Sequence, residues 1–101
     1  MEMQIFEQVD DYIRNLVGSE DEILTRTNNS IKEANIPPIS VSANQGKLLQ
    51  VLAKSCNAKK IVEIGTLVGY STIWMARALP KGGKLISLEF EPHHAQVAKK
   101  N

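Results

Sequence analysis

The sequence predicts an α/β chain in which N-terminal helices lead into the first βαβα of a doubly wound parallel sheet. Three observations carry this. Apolar residues recur at spacings of three and four up to about residue 56. After Lys59 two short apolar runs, "KIVEI" and "KLISLEF", alternate with helical stretches. A turn bearing two glycines, "GTLVG", joins the first run to the helix that follows it.

Each element has its own signal. Residues 3–17 place Ile5, Val9, Tyr12, Ile13 and Leu16 on one helical face, and Gly18 ends that helix. Ser19 and Glu22 form an S-x-x-E capping box, which predicts a second helix over about 20–34. "NIPPIS" cannot continue a helix, so Ile36 to Ser40 is extended. Ser42 and Gln45 make an S-x-x-Q box ahead of a third helix, about 43–56, whose apolar face is Leu48, Leu49, Val51 and Leu52. "KIVEI" reads as a buried strand and "STIWMARAL" as a helix, with Trp74 against a neighbouring helix or an interface. "KLISLEF" is the second strand, and Pro92 suits the first turn of a last helix, "HHAQVAKKN". Residues 1–58 are thus a helical extension and 59–101 the opening of a sheet domain. Strands in parallel sheets are buried on both faces, and two cannot stand alone. The expectation is therefore an N-terminal part of a larger α/β domain, or a sheet completed by another chain.

Composition narrows the function classes. Hydrophobic residues are 43% and charged residues 23%, the balance of a globular chain. A formal net charge of +1 gives no field to draw nucleic acid or an anionic membrane. The acidic, amphipathic N-terminus lacks a signal-peptide pattern and no apolar run is long enough to span a bilayer, so a cytoplasmic location is expected. The single cysteine, Cys56, excludes an internal disulfide. With no histidine nearby in sequence to activate it, it reads as a buried or half-buried helix-end residue rather than a nucleophile.

The turn "VEIGTLVGYSTIW" lies at the carboxyl end of a parallel strand, where open α/β sheets bind ligands. Two phosphate-binding patterns fail there. Tyr70 stands where a Walker loop has lysine, and Leu67 where the dinucleotide fingerprint has its second glycine. The acids point elsewhere. Glu63 sits inside an apolar strand, where a carboxylate must be paired or wet, so it is expected to face a polar cleft. Glu89 ends the second strand, placed to accept hydrogen bonds from both hydroxyls of a ribose. A ligand with a ribose, a positive centre and no phosphate fits two acids beside a glycine turn. S-adenosylmethionine is such a ligand, and Ser71 near the helix start can take its carboxylate. The plainer readings are a packing glycine pair, a salt-bridged Glu63 and a surface Glu89.

From about Ile39 to Asn101 the chain resembles the class I, S-adenosylmethionine-dependent O-methyltransferases. The E-[IL]-G-x-x-x-G-Y-S pattern, here "EIGTLVGYS", is similar to the cation-dependent branch with catechol and caffeoyl-CoA O-methyltransferases. The resemblance implies a Rossmann-like sheet and S-adenosylmethionine as cofactor. It implies that Val41 and Ser42 line the methionine side and that Glu63, Gly65 and Thr66 border the cofactor, with Gly69 in the same turn. It further implies that Ser71 meets the methionine carboxylate, Glu89 the ribose and Phe90 the adenine. The family's Mg²⁺ or similar divalent cation is held by an aspartate and an Asp-Asn pair on later strands, and neither can be assigned here. Catalytic residues are likewise expected beyond residue 101, so the 101-residue chain alone is expected to be inactive. His93 and His94 are expected mainly to face solvent. The implied reaction is methyl transfer to a hydroxyl of a small catechol-like or phenolic acceptor. The alternatives are a tRNA hydroxyuridine methyltransferase of the same fold, an NAD-dependent oxidoreductase module, or an interaction module. The N-terminal helices are expected to build a homodimer interface or a lid.

Overall fold

A computed structural model describes residues 2–101. Its elements run α1 (Glu2–Val17), α2 (Glu22–Glu33), α3 (Ala43–Ser55), β1 (Lys60–Ile64), α4 (Tyr70–Ala76), β2 (Lys84–Leu88) and α5 (Pro92–Lys100). The strands pair in parallel, with Lys60 opposite Lys84 and Glu63 opposite Ser87. The predicted strand, helix, strand, helix order of the second half is present.

The start of α2 differs from expectation. Its N-cap is Asp21, whose carboxylate accepts the Leu24 N–H at 3.0 Å. The Ser19–Glu22 box does not form. Glu20 is drawn away instead, its Oε2 accepting the buried Tyr70 hydroxyl at 2.6 Å. Asp21 also pairs with Arg77 at 2.7 Å, and the Leu24 N–H holds its carboxyl below the ordinary range. The box at α3 does form, with Ser42 and Gln45 each bonding the other's backbone N–H. α4 is shorter than "STIWMARAL" predicts. After Ala76 the chain tightens into i→i−3 bonds, Ala78 N to Met75 O and Leu79 N to Ala76 O, before Pro80. Cys56, expected to be at least half-buried, is exposed at the C-cap of α3.

Two small cores join the helices to the β1–α4 connection. Leu24 of α2 packs with Tyr70 and Trp74 of α4, flanked by Val41 and Ile73. Ile31 and Ile36 pack with Val68 of the glycine turn, flanked by Ala34, Leu67 and Val97. Trp74 lies against α3 at Gly46, where an added Cβ would sit 2.2 Å from the ring. That contact answers the question left open for Trp74. β1 is buried on one face only, contrary to expectation. Ile61 and Glu63 are half-buried towards the helices, while Val62 and Ile64 on the opposite face are exposed, as are Ile86 and Leu88 of β2. The period of two along a strand explains the alternation, because among the described residues helices cover a single face. No described helix is long and apolar enough to cross a membrane.

Candidate functional site

The turn after β1 is built from backbone that most residues avoid. Gly65 takes φ +86° and Gly69 φ +91°, both left-handed. The Gly65 N–H donates to Leu88 O at 2.6 Å, which ties the turn to the end of β2. The Gly69 N–H donates to Thr66 O at 2.9 Å and closes it. Between them Leu67 also has positive φ, +54°, at a position where a side chain costs energy.

One carboxylate holds this loop open. Glu89 Oε1 accepts the N–H of Thr66 at 3.1 Å and of Leu67 at 2.8 Å. Its Oε2 accepts the Glu91 N–H at 3.1 Å and lies 3.7 Å from His94 Nδ1. The Glu91 N–H, more than any other group, holds the Glu89 carboxyl below its ordinary value of 4.5. The Leu67 and Thr66 N–H groups and His94 act in the same direction, and partial burial opposes them.

Glu63 occupies a second polar cluster beneath the turn. It accepts the hydroxyls of Ser71 at 2.6 Å and Ser87 at 2.6 Å, and that of Thr72. Thr72 Oγ1 also bonds Thr66 Oγ1 at 2.7 Å. A strand carboxylate facing a helix start is thus satisfied by hydroxyls, not by the salt bridge of the plainer reading.

These groups border a cavity of about 360 Å³ at the carboxyl ends of both strands. Val41, Gly65, Thr66, Ser71, Glu89 and Phe90 line it, which brings together six of the nine residues expected of the site. The other three lie elsewhere. Ser42 is an exposed N-cap whose hydroxyl is spent on Gln45 N. Gly69 borders a larger, mostly apolar space of about 750 Å³ between α4, β2 and α5. Glu63 does not line the cavity; its partner Ser71 does. Phe90 is 98% exposed, so no other side chain occupies its ring face. The smaller cavity is the better candidate for the ligand, because six of the nine expected residues line it against four for the larger space, which shares Thr66, Glu89 and Phe90 with it.

Sequence reasoning missed Ser40, Leu67 and His94 in this wall. His94 is half-buried, contrary to expectation. Pro92 at the first position of α5 is the signal that could have found it, since a helix starting there swings residue 94 back over Glu89. His93 is exposed as expected, with Nε2 2.8 Å from Ala34 O. Among the described residues no group of three or more His, Cys, Asp or Glu converges to hold a metal ion.

Comparison with known proteins gives this geometry a context. The sequence profile of a family described as O-methyltransferase matches residues 15–101. A catechol O-methyltransferase of Niastella koreensis is 63% identical over the whole chain, which covers 46% of that protein. A catechol O-methyltransferase of Mycobacterium tuberculosis is 41% identical over 92% of the chain and 42% of its own length. The chain therefore spans less than half the length of these relatives. Among solved structures, the O-methyltransferase TomG of Streptomyces achromogenes, in complex with SAM, superposes with a TM-score of 0.92. It is 44% identical, over 99% of this chain and 45% of that one. An O-methyltransferase of Bacillus cereus in complex with SAH gives 0.88 at 42% identity, over 92% of this chain and 42% of that one. A glycine turn clamped by an acid at the end of the second strand, in a chain matched from within α1 to its last residue, makes this protein a member of the O-methyltransferase family.

Proposed function

We propose that the cavity at the strand ends binds S-adenosylmethionine and that the protein serves methyl transfer to a hydroxyl of a small catechol-like or phenolic acceptor. The observation that carries the reading is Glu89. It stands at the end of β2 beside Val41, Ser71 and Phe90, with its carboxylate tethered by backbone rather than spent on a lysine or arginine. Solved relatives with this fold hold SAM and SAH, and the names of the Niastella and Mycobacterium proteins support the acceptor class.

When bound, the sulfonium supplies a methyl group activated for in-line displacement by an acceptor oxygen. The residues of this chain bind and orient. Glu89, whose side chain borders the cavity, receives the ribose hydroxyls. Gly65, which carries no side chain and has open space where one would be, lets the ligand approach the backbone. Ser71 exchanges its hydroxyl bond to Glu63 for one to the methionine carboxylate. Phe90 offers its exposed ring to the adenine. Such positioning converts binding into rate by holding the reacting atoms in line. A divalent cation belongs to this reading by family resemblance, but the described residues assemble no site for it, and no step here passes through it.

Calorimetric titration of the intact protein with S-adenosylhomocysteine and with NADH tests the cofactor. Binding of the former and not the latter is expected; NADH binding alone would sink the reading. Methyl transfer from labelled cofactor to catechol tests the acceptor, and a product on a tRNA with none on catechol would replace it. Self-association through α1 is part of the same proposal, because Phe6, Tyr12 and Leu16 are exposed on that helix. Light scattering of the wild type against F6E/L16E should show a dimer lost; a monomer in both would remove the dimer.

A further inference from the structure

Counting acceptors at the end of β2 reveals a shortfall. A carboxylate offers about four lone-pair sites, shared between its oxygens. Glu89 Oε1 fills its share with the N–H groups of Thr66 and Leu67. Oε2 spends one site on the Glu91 N–H and keeps one for a ligand. A ribose brings hydroxyls on neighbouring carbons, each with a hydrogen to give. Glu89 therefore does not take the diol alone. His94 Nδ1 lies 3.7 Å from Oε2, too far for a hydrogen bond between them. Both residues border the 360 Å³ cavity, and their side chains are only 19% and 13% exposed. A neutral imidazole with its proton on Nε2 presents Nδ1 as an acceptor.

The charged and titratable groups around His94 are few. Glu89 faces it from the end of β2, and Glu91 borders the same cavity from the cap of α5. The segment 39–41 and the glycine turn bring only uncharged side chains to that wall. One turn along α5, Val97 and Ala98 are uncharged. The His93 ring is 6.3 Å away, centroid to centroid. Its Nε2 lies 2.8 Å from Ala34 O, which only accepts, so His93 donates there whether neutral or charged. Its contact is thus indifferent to a second proton, whereas that of His94 is not. An imidazolium has no acceptor, and its Nδ1–H turns to the last free site on Oε2. One proton removes both acceptors from the ligand.

We infer that His94 is a further binding residue for the ribose diol, its neutral imidazole accepting one hydroxyl while Glu89 Oε2 accepts the other, so that protonation of His94 weakens cofactor binding. This rests on the cofactor reading above. The imidazole is the ordinary side chain that changes charge between pH 5 and 8. Affinity is complete where His94 is neutral and declines as pH falls and the ring takes a proton.

The test is calorimetry of the intact protein with S-adenosylhomocysteine at about pH 8 and about pH 5.5, on either side of the imidazole range. Wild type should bind about tenfold more weakly at the lower pH, equivalent to about 1.4 kcal/mol. His94→Asn puts an amide oxygen, which does not titrate, near the place of Nδ1. It should bind at both pH values with a flat profile. His94→Ala should be weak at both, and His93→Gln should keep the wild-type profile. A flat wild-type profile, or a pH dependence that survives in His94→Asn, would overturn the inference and leave the cofactor reading standing. If the ligand does not bind wild type at about pH 8, the cofactor reading fails and takes this inference with it. A ligand-side measurement decides the matter if the His94 variants do not fold. Of the 2′-deoxy and 3′-deoxy forms of S-adenosylhomocysteine, one should bind wild type without the pH dependence, because the hydroxyl that His94 accepts is gone. If both keep it in full, His94 does not hold the diol.

Discussion

At the scale of single residues, Glu89 joins two tasks, one legible in the sequence and one not. Its place at the end of an apolar strand marks it for a ligand. Its three bonds to the N–H groups of Thr66, Leu67 and Glu91 were not legible, because they depend on the left-handed path of Leu67. Replacing Glu89 by alanine leaves those donors unpaired. We predict a loss of about 1–3 kcal/mol in chemical denaturation, on the scale of a partly buried donor stripped of its acceptor, besides any loss of cofactor binding. The pH dependence follows from the lowered pKa. A carboxyl whose folded value lies below its ordinary 4.5 contributes stability that is present above that value and lost as pH falls through the folded one. Melting temperatures of wild type and E89Q should therefore converge on acidification below about 4.5. Parallel curves would show that Glu89 does not titrate as described. Glu63 was legible only in part: its isolation in an apolar strand demanded polar partners, but those partners are hydroxyls of Ser71, Thr72 and Ser87. Two of the three lie on another element's first turn, a spacing no strand pattern encodes.

At the scale of elements, caps and contacts separate what a local pattern can and cannot settle. Ser42–Gln45 and Ser19–Glu22 are equally good capping boxes on paper, and only the first forms. The difference lies outside α2, in the pull of Tyr70 on Glu20 and of Arg77 on Asp21. Asp21→Ala should accordingly lower the melting temperature and Ser19→Ala should leave it nearly unchanged. The reverse order would restore the capping box. The α3–α4 contact is a matter of fit. Gly46 is buried against the Trp74 ring, and an alanine methyl there would start 2.2 Å from Cδ1. Helical backbone offers no other direction for that methyl, so the ring must move. Overpacking of this kind costs about 1–3 kcal/mol, and Gly46→Ala should show it in denaturant with a changed tryptophan emission. A neutral substitution would mean that Trp74 has room to shift.

At the scale of the whole molecule, the order of helices and strands followed from periodicity and punctuation, while the cores did not. Both cores join residues far apart in sequence: Leu24 with Tyr70 and Trp74, and Ile31 with Val68. The helical segment and the strand–turn–helix segment therefore share their buried surface, although composition divides them near residue 59. Leu24 is the point where this can be measured, because it is fully buried on α2 and all its cluster partners lie outside that helix. Leu24→Ala removes methyl groups from a site closed by two aromatic rings and should cost about 2–5 kcal/mol. If the two segments fold as one unit, circular dichroism and Trp74 fluorescence should shift together in denaturant, by the same free energy. Separate transitions, with Trp74 unmoved, would show that the segments are independent. Tyr70 supplies a second probe of the same junction. Burial, and then its bond to Glu20, raises its phenol above the ordinary 10.0. For a group that is neutral when protonated, that contribution is complete below the ordinary value and disappears as pH rises through the folded one. Wild type should lose stability above pH 10 more steeply than Tyr70→Phe. Equal slopes would show that the Glu20–Tyr70 bond does not hold the helical segment to α4.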